Sequence, residues 1–179
     1  MFGEYQASLG LQGRDGFGTL TAENYDRYLL EYYLIPAAGR YLEALPDEKR
    51  SEYLAEHQWL TWDGERAAFS FADYVAYAGR YKGIPAFDDF DLSLAEPSLF
   101  GDETTEARHF TDFSLRRTSG DPNAEVSADV KTLAVLMNPM HFVLRDNPGC
   151  AGYWWLRRGT AETGISQTAI VNLATGLEN

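Results

Sequence analysis

Tyr153-Trp154-Trp155-Leu156-Arg157-Arg158, the turn Gly159-Thr160-Ala161-Glu162 and the closing run over residues 166–179 decide how this chain is read. The first six residues are rich in aromatics, as strands are. Gly159-Thr160 suits a turn, and Ile170, Leu173, Ala174 and Leu177 recur at helical spacing. The pattern predicts a strand over 153–158, an acid (Glu162) at its carboxyl end and an amphipathic helix that covers it, which is one βα unit of an α/β fold. The helical stripe reaches Asn179 with no glycine or proline stop behind it. The chain is therefore expected to be a piece of a longer protein, with Asn179 as a natural helix cap the alternative.

Composition narrows the function classes. With 27 acids against 15 bases and a formal charge of −12, nucleic acid and anionic membrane are excluded as partners on electrostatic grounds. Cys150 is the one cysteine, so an internal disulfide and a cysteine-based zinc site are excluded. No run approaches the roughly 20 apolar residues that span a bilayer. Met1 to Gly18 has no charged segment followed by an apolar one, unlike a signal peptide. The compartment is left open by the composition, with a secreted or cell-envelope bacterial setting preferred.

Working back from the end, the rest of the chain reads as mostly helical. Residues 1–20 carry Gly3, Gly10, Gly13, Gly16 and Gly18 and are expected to be an irregular entry; the glycine spacing does not fit a dinucleotide fingerprint. Tyr25, Tyr28, Leu29 and Tyr32 share one helical face, with Thr21 as the expected N-cap. That face packs on its own domain more readily than it makes a ligand platform. Pro36 is expected to kink or split this helix, and a second helix to start near Pro46 and run toward His57. Trp59 to Trp62, Asp63-Gly64 and the residues up to Phe71 read as a hairpin. Next comes a helix, with Phe71, Tyr74, Val75 and Ala78 in phase and Gly79 at its end. Residues 81–124 read as mostly loop, and a helix over 126–137 is stopped by Asn138-Pro139.

Few residues carry chemistry. No Gly-x-Ser-x-Gly elbow is present, and Ser166 belongs in the first turn of the last helix or caps it. His57 reads as solvated at the end of a charged helix, His109 as bonded to backbone in a loop, and His141 as near the start of the expected core segment. All three precede Glu162, the wrong order for a Ser…acid…His triad. Asp88-Asp89-Phe90-Asp91 with Glu96 lacks the ligand periodicity of a calcium loop and reads as solvated or helix-capping. No set of His, Cys and carboxylates has metal-ligand spacing, so neither metal nor cofactor is expected. Glu162 has two readings of equal standing, a triad acid past a strand or a first-turn acid that complements a helix dipole.

Two further segments bear on that choice. Gly79-Arg-Tyr-Lys82-Gly-Ile-Pro85-Ala-Phe87-Asp88-Asp-Phe-Asp91-Leu-Ser leads, through Glu96, into Leu99-Phe-Gly101-Asp-Glu-Thr-Thr105-Glu-Ala-Arg-His109-Phe-Thr-Asp-Phe-Ser114. This block resembles the lid region of bacterial tannases and related feruloyl-esterase-like α/β hydrolases. Met137-Asn-Pro-Met140 and Trp155-Leu-Arg-Arg-Gly159-Thr160 continue the likeness in order, so it covers at least residues 71–179.

The resemblance implies a helical lid with a small hairpin over residues 1–138, and over 139–179 a part of an α/β-hydrolase core. It implies Glu162 as triad acid and Lys82 with Glu96 as the pair that holds an aryl substrate's hydroxyls. The serine, the histidine and the remainder of the hydrolase core would lie outside this chain. The family's Gly-Thr-x-Asp-x-Asp-Thr-Ser turn stands here as Gly159-Thr160-Ala161-Glu162-Thr163-Gly164-Ile165-Ser166. Glu162 is one methylene longer than aspartate, and Gly164 removes one contact to a polyphenol ring. A feruloyl-type or other ester, or a variant that has lost activity, is thus expected over a tannase. The alternatives are a non-catalytic binding module derived from the lid and, less favoured, an acid-lined calcium domain.

Overall fold

The computed structural model describes residues 2–79, 87–145, 149–157 and 166–179. The chain divides into two compact units, one made of residues 1–80, 156–158 and 165–179 and the other of residues 81–155 and 159–164.

The first unit opens with α1 (Phe2–Ser8) and a two-stranded antiparallel hairpin, β1 (Gln12–Gly13) and β2 (Gly18–Thr19), joined by a 3-10 turn over Arg14–Gly16. The expected irregular entry is thus ordered. Its glycines are needed at the turns, where Gly10, Gly16 and Gly18 hold positive φ. Helix α2 (Tyr25–Leu29) starts later than Thr21, because the Asn24 side chain accepts from Thr21 N–H at 2.9 Å and reverses the expected capping. Pro36 does not break the helical path. A π turn over Leu30–Leu34 lets Ile35 N–H reach back five residues to Leu30 O, and the helix continues as α3 (Ile35–Ala44). The wider turn accommodates a residue that lacks the N–H of a regular turn.

Helix α4 (Asp47–Glu56) starts directly after Pro46, and β3 (Thr61–Trp62) pairs with β4 (Ala67–Ala68) as the expected hairpin. Its loop is four residues long, held by Asp63 Oδ1, which accepts from Glu65 and Arg66 N–H at 2.9 and 2.7 Å. Helix α5 (Phe71–Ala78) carries a complete capping box, Ser70 with Asp73, and ends on Gly79 at φ 57°. Leu42, Leu60 and Ala67 form a core patch here, and Leu11, Leu20, Tyr25, Tyr28 and Leu29 are buried as well. The tyrosine face of α2 therefore packs inward.

In the second unit, two short helices interrupt what reads as loop, α6 (Ala95–Ser98) and α7 (Asp112–Ser119), and α8 (Ala128–Leu136) falls within the expected 126–137 helix. Pro139 does more than stop α8. It opens α9 (Pro139–Val143), with Asn138 Oδ1 capping Met140 N–H at 3.1 Å. Phe100, Val126 and Val130 form this unit's core.

The expected strand over 153–158 is not formed among the described residues. Residues 153–157 join no sheet, and Tyr153 and Trp155 are 98% and 78% exposed. Strand propensity is context, and without a sheet edge to pair with it makes no strand. The last helix, α10 (Gln167–Glu178), packs in the first unit through Val171, Asn172, Thr175 and Gly176, while Ile170, Leu173, Ala174 and Leu177 are only half-buried. The predicted apolar face is thus displaced by a small, polar one, because Asn172 finds a buried amide partner in Gln6.

Candidate functional site

Glu96 is the one of the three predicted site residues that falls among the described residues; Lys82 and Glu162 lie outside them. Glu96 is half-buried in the first turn of α6. Two devices mount that turn. On its N-terminal side the Asp89 carboxylate accepts from Ser93 N–H at 2.6 Å, from the Ser93 hydroxyl at 2.9 Å and from Leu94 N–H at 3.1 Å. Between them Leu92 is held at φ 59°, a region a branched side chain rarely visits and one that stores strain. Desolvation pushes the Asp89 carboxyl up, but hydrogen bonds involving Asp91, the Ser93 hydroxyl and the Ser93 and Leu94 amides outweigh it and hold the group at about 2.

On its C-terminal side the turn is clamped by Arg108. The carbonyl of Pro97 accepts from Arg108 N–H at 3.1 Å, and the guanidinium donates to Phe100 O. The same guanidinium pairs with Asp102 at 3.2 Å and Asp129 at 2.9 Å. Both acids are held below their usual range, Asp102 chiefly by the Thr104 hydroxyl and Asp129 chiefly by Ser127, each with help from Arg108. Phe100 stacks on Phe110 at 4.3 Å beneath this clamp. Gly101 is obligatory for steric reasons, since a Cβ there would lie 2.3 Å from Glu106 O.

Beside this turn lies a buried carboxylate that the sequence does not reveal. Asp88 is 1% exposed, so the reading of it as a solvated acid is corrected. Its carboxylate accepts from His109 Nδ1 at 2.8 Å and from Phe110 and Thr111 N–H at 3.1 and 2.8 Å. It also accepts from the Thr111 hydroxyl, while Ser114 Oγ donates to Asp88 O. His109 is therefore not a backbone-bonded loop residue. Its Nδ1 contacts Asp88 and its Nε2 lies 3.0 Å from Thr118 Oγ1 on α7. This network ties the segment before Glu96 to the start of α7 and pairs both carboxylate oxygens of the buried Asp88.

Ser166 sits at the N-cap position of α10 with its hydroxyl against Thr168 Oγ1, as the sequence suggests, and not on an elbow. His57 is half-buried, with its ring stacked on Tyr53 at 4.0 Å. His141 lies in α9, edge-on to Phe142 at 5.1 Å. Among the described residues no group of three or more His, Cys, Asp or Glu could hold a metal ion, and no helix is long and apolar enough to cross a membrane.

No family model matches this chain, and no curated protein matches it. Solved structures do. A tannin acyl hydrolase in a mercury derivative matches at a TM-score of 0.76 with 25% identity, over 99% of this chain and 37% of that one. The native tannin acyl hydrolase from Lactobacillus plantarum matches at 0.77 with 24% identity, over 99% and 37%. A tannin acyl hydrolase in complex with 3,4-dihydroxybenzoate matches at 0.76 with 25% identity, over 99% and 38%. The chain has the fold of part of a tannin acyl hydrolase. It spans little more than a third of the length of these tannin acyl hydrolases, and the likeness relates it to an ester hydrolase.

Within the tannase-like block, sequence reasoning missed Asp88, His109 and Arg108 as organising residues. The available signal was Phe87-Asp88 and, some twenty residues on, Arg108-His109-Phe110-Thr111, where the hydroxyl of Thr111 begins a helix.

Proposed function

We propose that the chain supplies the acyl-binding lid and the acid-bearing segment of a serine carboxylic-ester hydrolase that acts on aryl esters of the feruloyl or galloyl kind. Residues 1–138 are its lid and residues 139–179 a part of its core. The observation that carries this is the likeness over 99% of the chain to tannin acyl hydrolases, one of them solved with 3,4-dihydroxybenzoate.

In the complete enzyme, polypeptide beyond these residues brings the serine and the histidine. The serine attacks the ester carbonyl, the histidine takes and returns the proton, and Glu162 orients the imidazole and stabilises its charged form. Backbone amides near the serine hold the oxyanion. The Lys82 ammonium donates to a ring hydroxyl and the Glu96 carboxylate accepts from one. Analogues that lack those hydroxyls forfeit both contacts and are rejected. The Asp89 cap and the Arg108 clamp fix the turn from which Glu96 projects.

The isolated 179-residue chain is expected to leave nitrophenyl and ferulate esters intact. Joined to the polypeptide that bears the serine and histidine, it is expected to cleave them, with Glu162→Ala lowering kcat on the order of 10⁴-fold. Lys82→Ala and Glu96→Ala should impair ferulate or gallate esters and spare an unsubstituted benzoate ester. Hydrolysis by the isolated chain that Glu162→Ala abolishes, or a joined enzyme indifferent to that change, overturns the reading. A second reading, a non-catalytic binding module built from the lid, draws on the exposed rings of Tyr153 and Trp155 and predicts ligand binding with no turnover in any joined form.

A further inference from the structure

An aromatic stripe in the first unit serves packing on one side only. Trp59 contacts Phe69 at 5.2 Å and Tyr77 at 4.8 Å, and Tyr77 meets His57 edge-on at 5.3 Å. His57 stacks on Tyr53 at 4.0 Å with the planes 19° apart, and Tyr53 meets Tyr41 at 5.1 Å. The inner side, Trp59 and Tyr53, packs against the core patch of Leu42, Leu60 and Ala67. The two end rings do not close it: Tyr41 is 49% exposed and Tyr77 53%.

The ring between them carries a defined acceptor. His57 Nδ1 lies 2.8 Å from Tyr53 O. A carbonyl only accepts, so Nδ1 bears the proton and Nε2 of the neutral ring presents a lone pair. No described residue bonds that Nε2. Burial, with Tyr77 beside it, pushes the Tyr53 hydroxyl up to about 12, so the neighbouring phenol stays neutral. His57 also stands at the C-terminal end of α4, after Glu56, where helix carbonyls and a carboxylate repel an anion.

We propose that Tyr41, Tyr53, His57 and Tyr77 form a binding site for a neutral phenol, whose hydroxyl donates to His57 Nε2 and whose ring lies against the exposed tyrosine rings. Offset and edge-on ring contacts supply the attraction, and the imidazole acceptor favours a ring that carries a hydroxyl. The negative helix end favours neutral phenols and phenolic esters over free phenolic acids. None of Lys82, Glu96 or Glu162 takes part, so the inference does not depend on the ester-hydrolase reading.

The test is a titration of the full chain with catechol, read by NMR of the histidine and tyrosine rings and by tryptophan fluorescence. Saturable binding in the millimolar range is expected, with shifts at His57 and Tyr77. His57→Phe keeps a stacking ring and removes the acceptor; it should weaken catechol at least fivefold with an unchanged circular dichroism spectrum. Tyr77→Ala, and Tyr41→Leu at the other exposed end, should weaken it at least threefold. 3,4-Dihydroxybenzoate should bind more weakly than catechol. The proposal is overturned by the absence of saturable shifts, by full affinity in His57→Phe, or by tighter binding of the benzoate. Tighter binding of tetramethylammonium, the probe for a cation cage, overturns it as well.

Discussion

A single carboxylate can hold a strained turn when it accepts from several donors at once, and Asp89 does so for Ser93 and Leu94. Because the folded chain holds this group at about 2, against an ordinary 3.8, folded protein binds fewer protons than unfolded protein between those values. The stabilisation is fully present above pH 3.8 and is lost as the pH falls toward about 2. Hydrogen exchange at the Ser93 and Leu94 amides should therefore accelerate across that window, and Asp89→Asn should remove the pH dependence; protection that persists unchanged at pH 2 would contradict it. Gly101 makes a second prediction at this scale. A Cβ 2.3 Å from Glu106 O must displace backbone, so Gly101→Ala should cost about 2 kcal/mol in a denaturant titration. Asp88 and Asp89 also show where reading stops. They are adjacent and alike in sequence, yet one is buried and one caps a turn, because the partners of Asp88 lie 21 to 23 residues away.

Elements that were legible are those whose instructions are local. Ser70-Phe-Ala-Asp73 states both halves of a capping box, and Gly79 supplies the left-handed stop, so α5 stands where the periodicity puts it. Ser70→Ala removes the acceptor of Asp73 N–H and should cost about 1 kcal/mol, measured by thermal or urea unfolding; no change would mean the box adds nothing to stability. The β3–β4 hairpin was legible for the same reason, through Asp63 and Gly64. The π turn before Pro36 was not. Whether a proline breaks a helix or widens one turn depends on the packing of the flanking tyrosines, such as Tyr28 against Tyr32 at 4.9 Å. The short helices α6 and α7 escaped because their caps and clamps, Asp89, Thr111 and Arg108, come from residues with no helical periodicity around them.

At the scale of the molecule, the first unit joins its earliest and latest segments through a polar core. Gln6 and Asn172 exchange amide hydrogen bonds at 3.1 and 2.9 Å, and the Tyr25 hydroxyl donates to Asn172 Oδ1 at 2.7 Å. Arg14 pairs with Glu178, and Asn179 bonds the Gln12 backbone in both directions. Asn172→Leu takes these partners from the buried Gln6 and Tyr25 and should cost about 2 to 3 kcal/mol by urea titration, more than Asn172→Gln at the same place. Taken alone, the sequence determined the helical character, the hairpin, the helix that ends on Gly79, the negative net charge and the tannase-like block, because periodicity, turn chemistry and charge act over a few residues. Only the tertiary structure decided which face of α10 is buried, that Asp88 and His109 belong inside, and that residues 153–157 stay outside any sheet. Those outcomes turn on partners remote in the chain, and a buried polar group or a strand edge has no stable state until such a partner is in place.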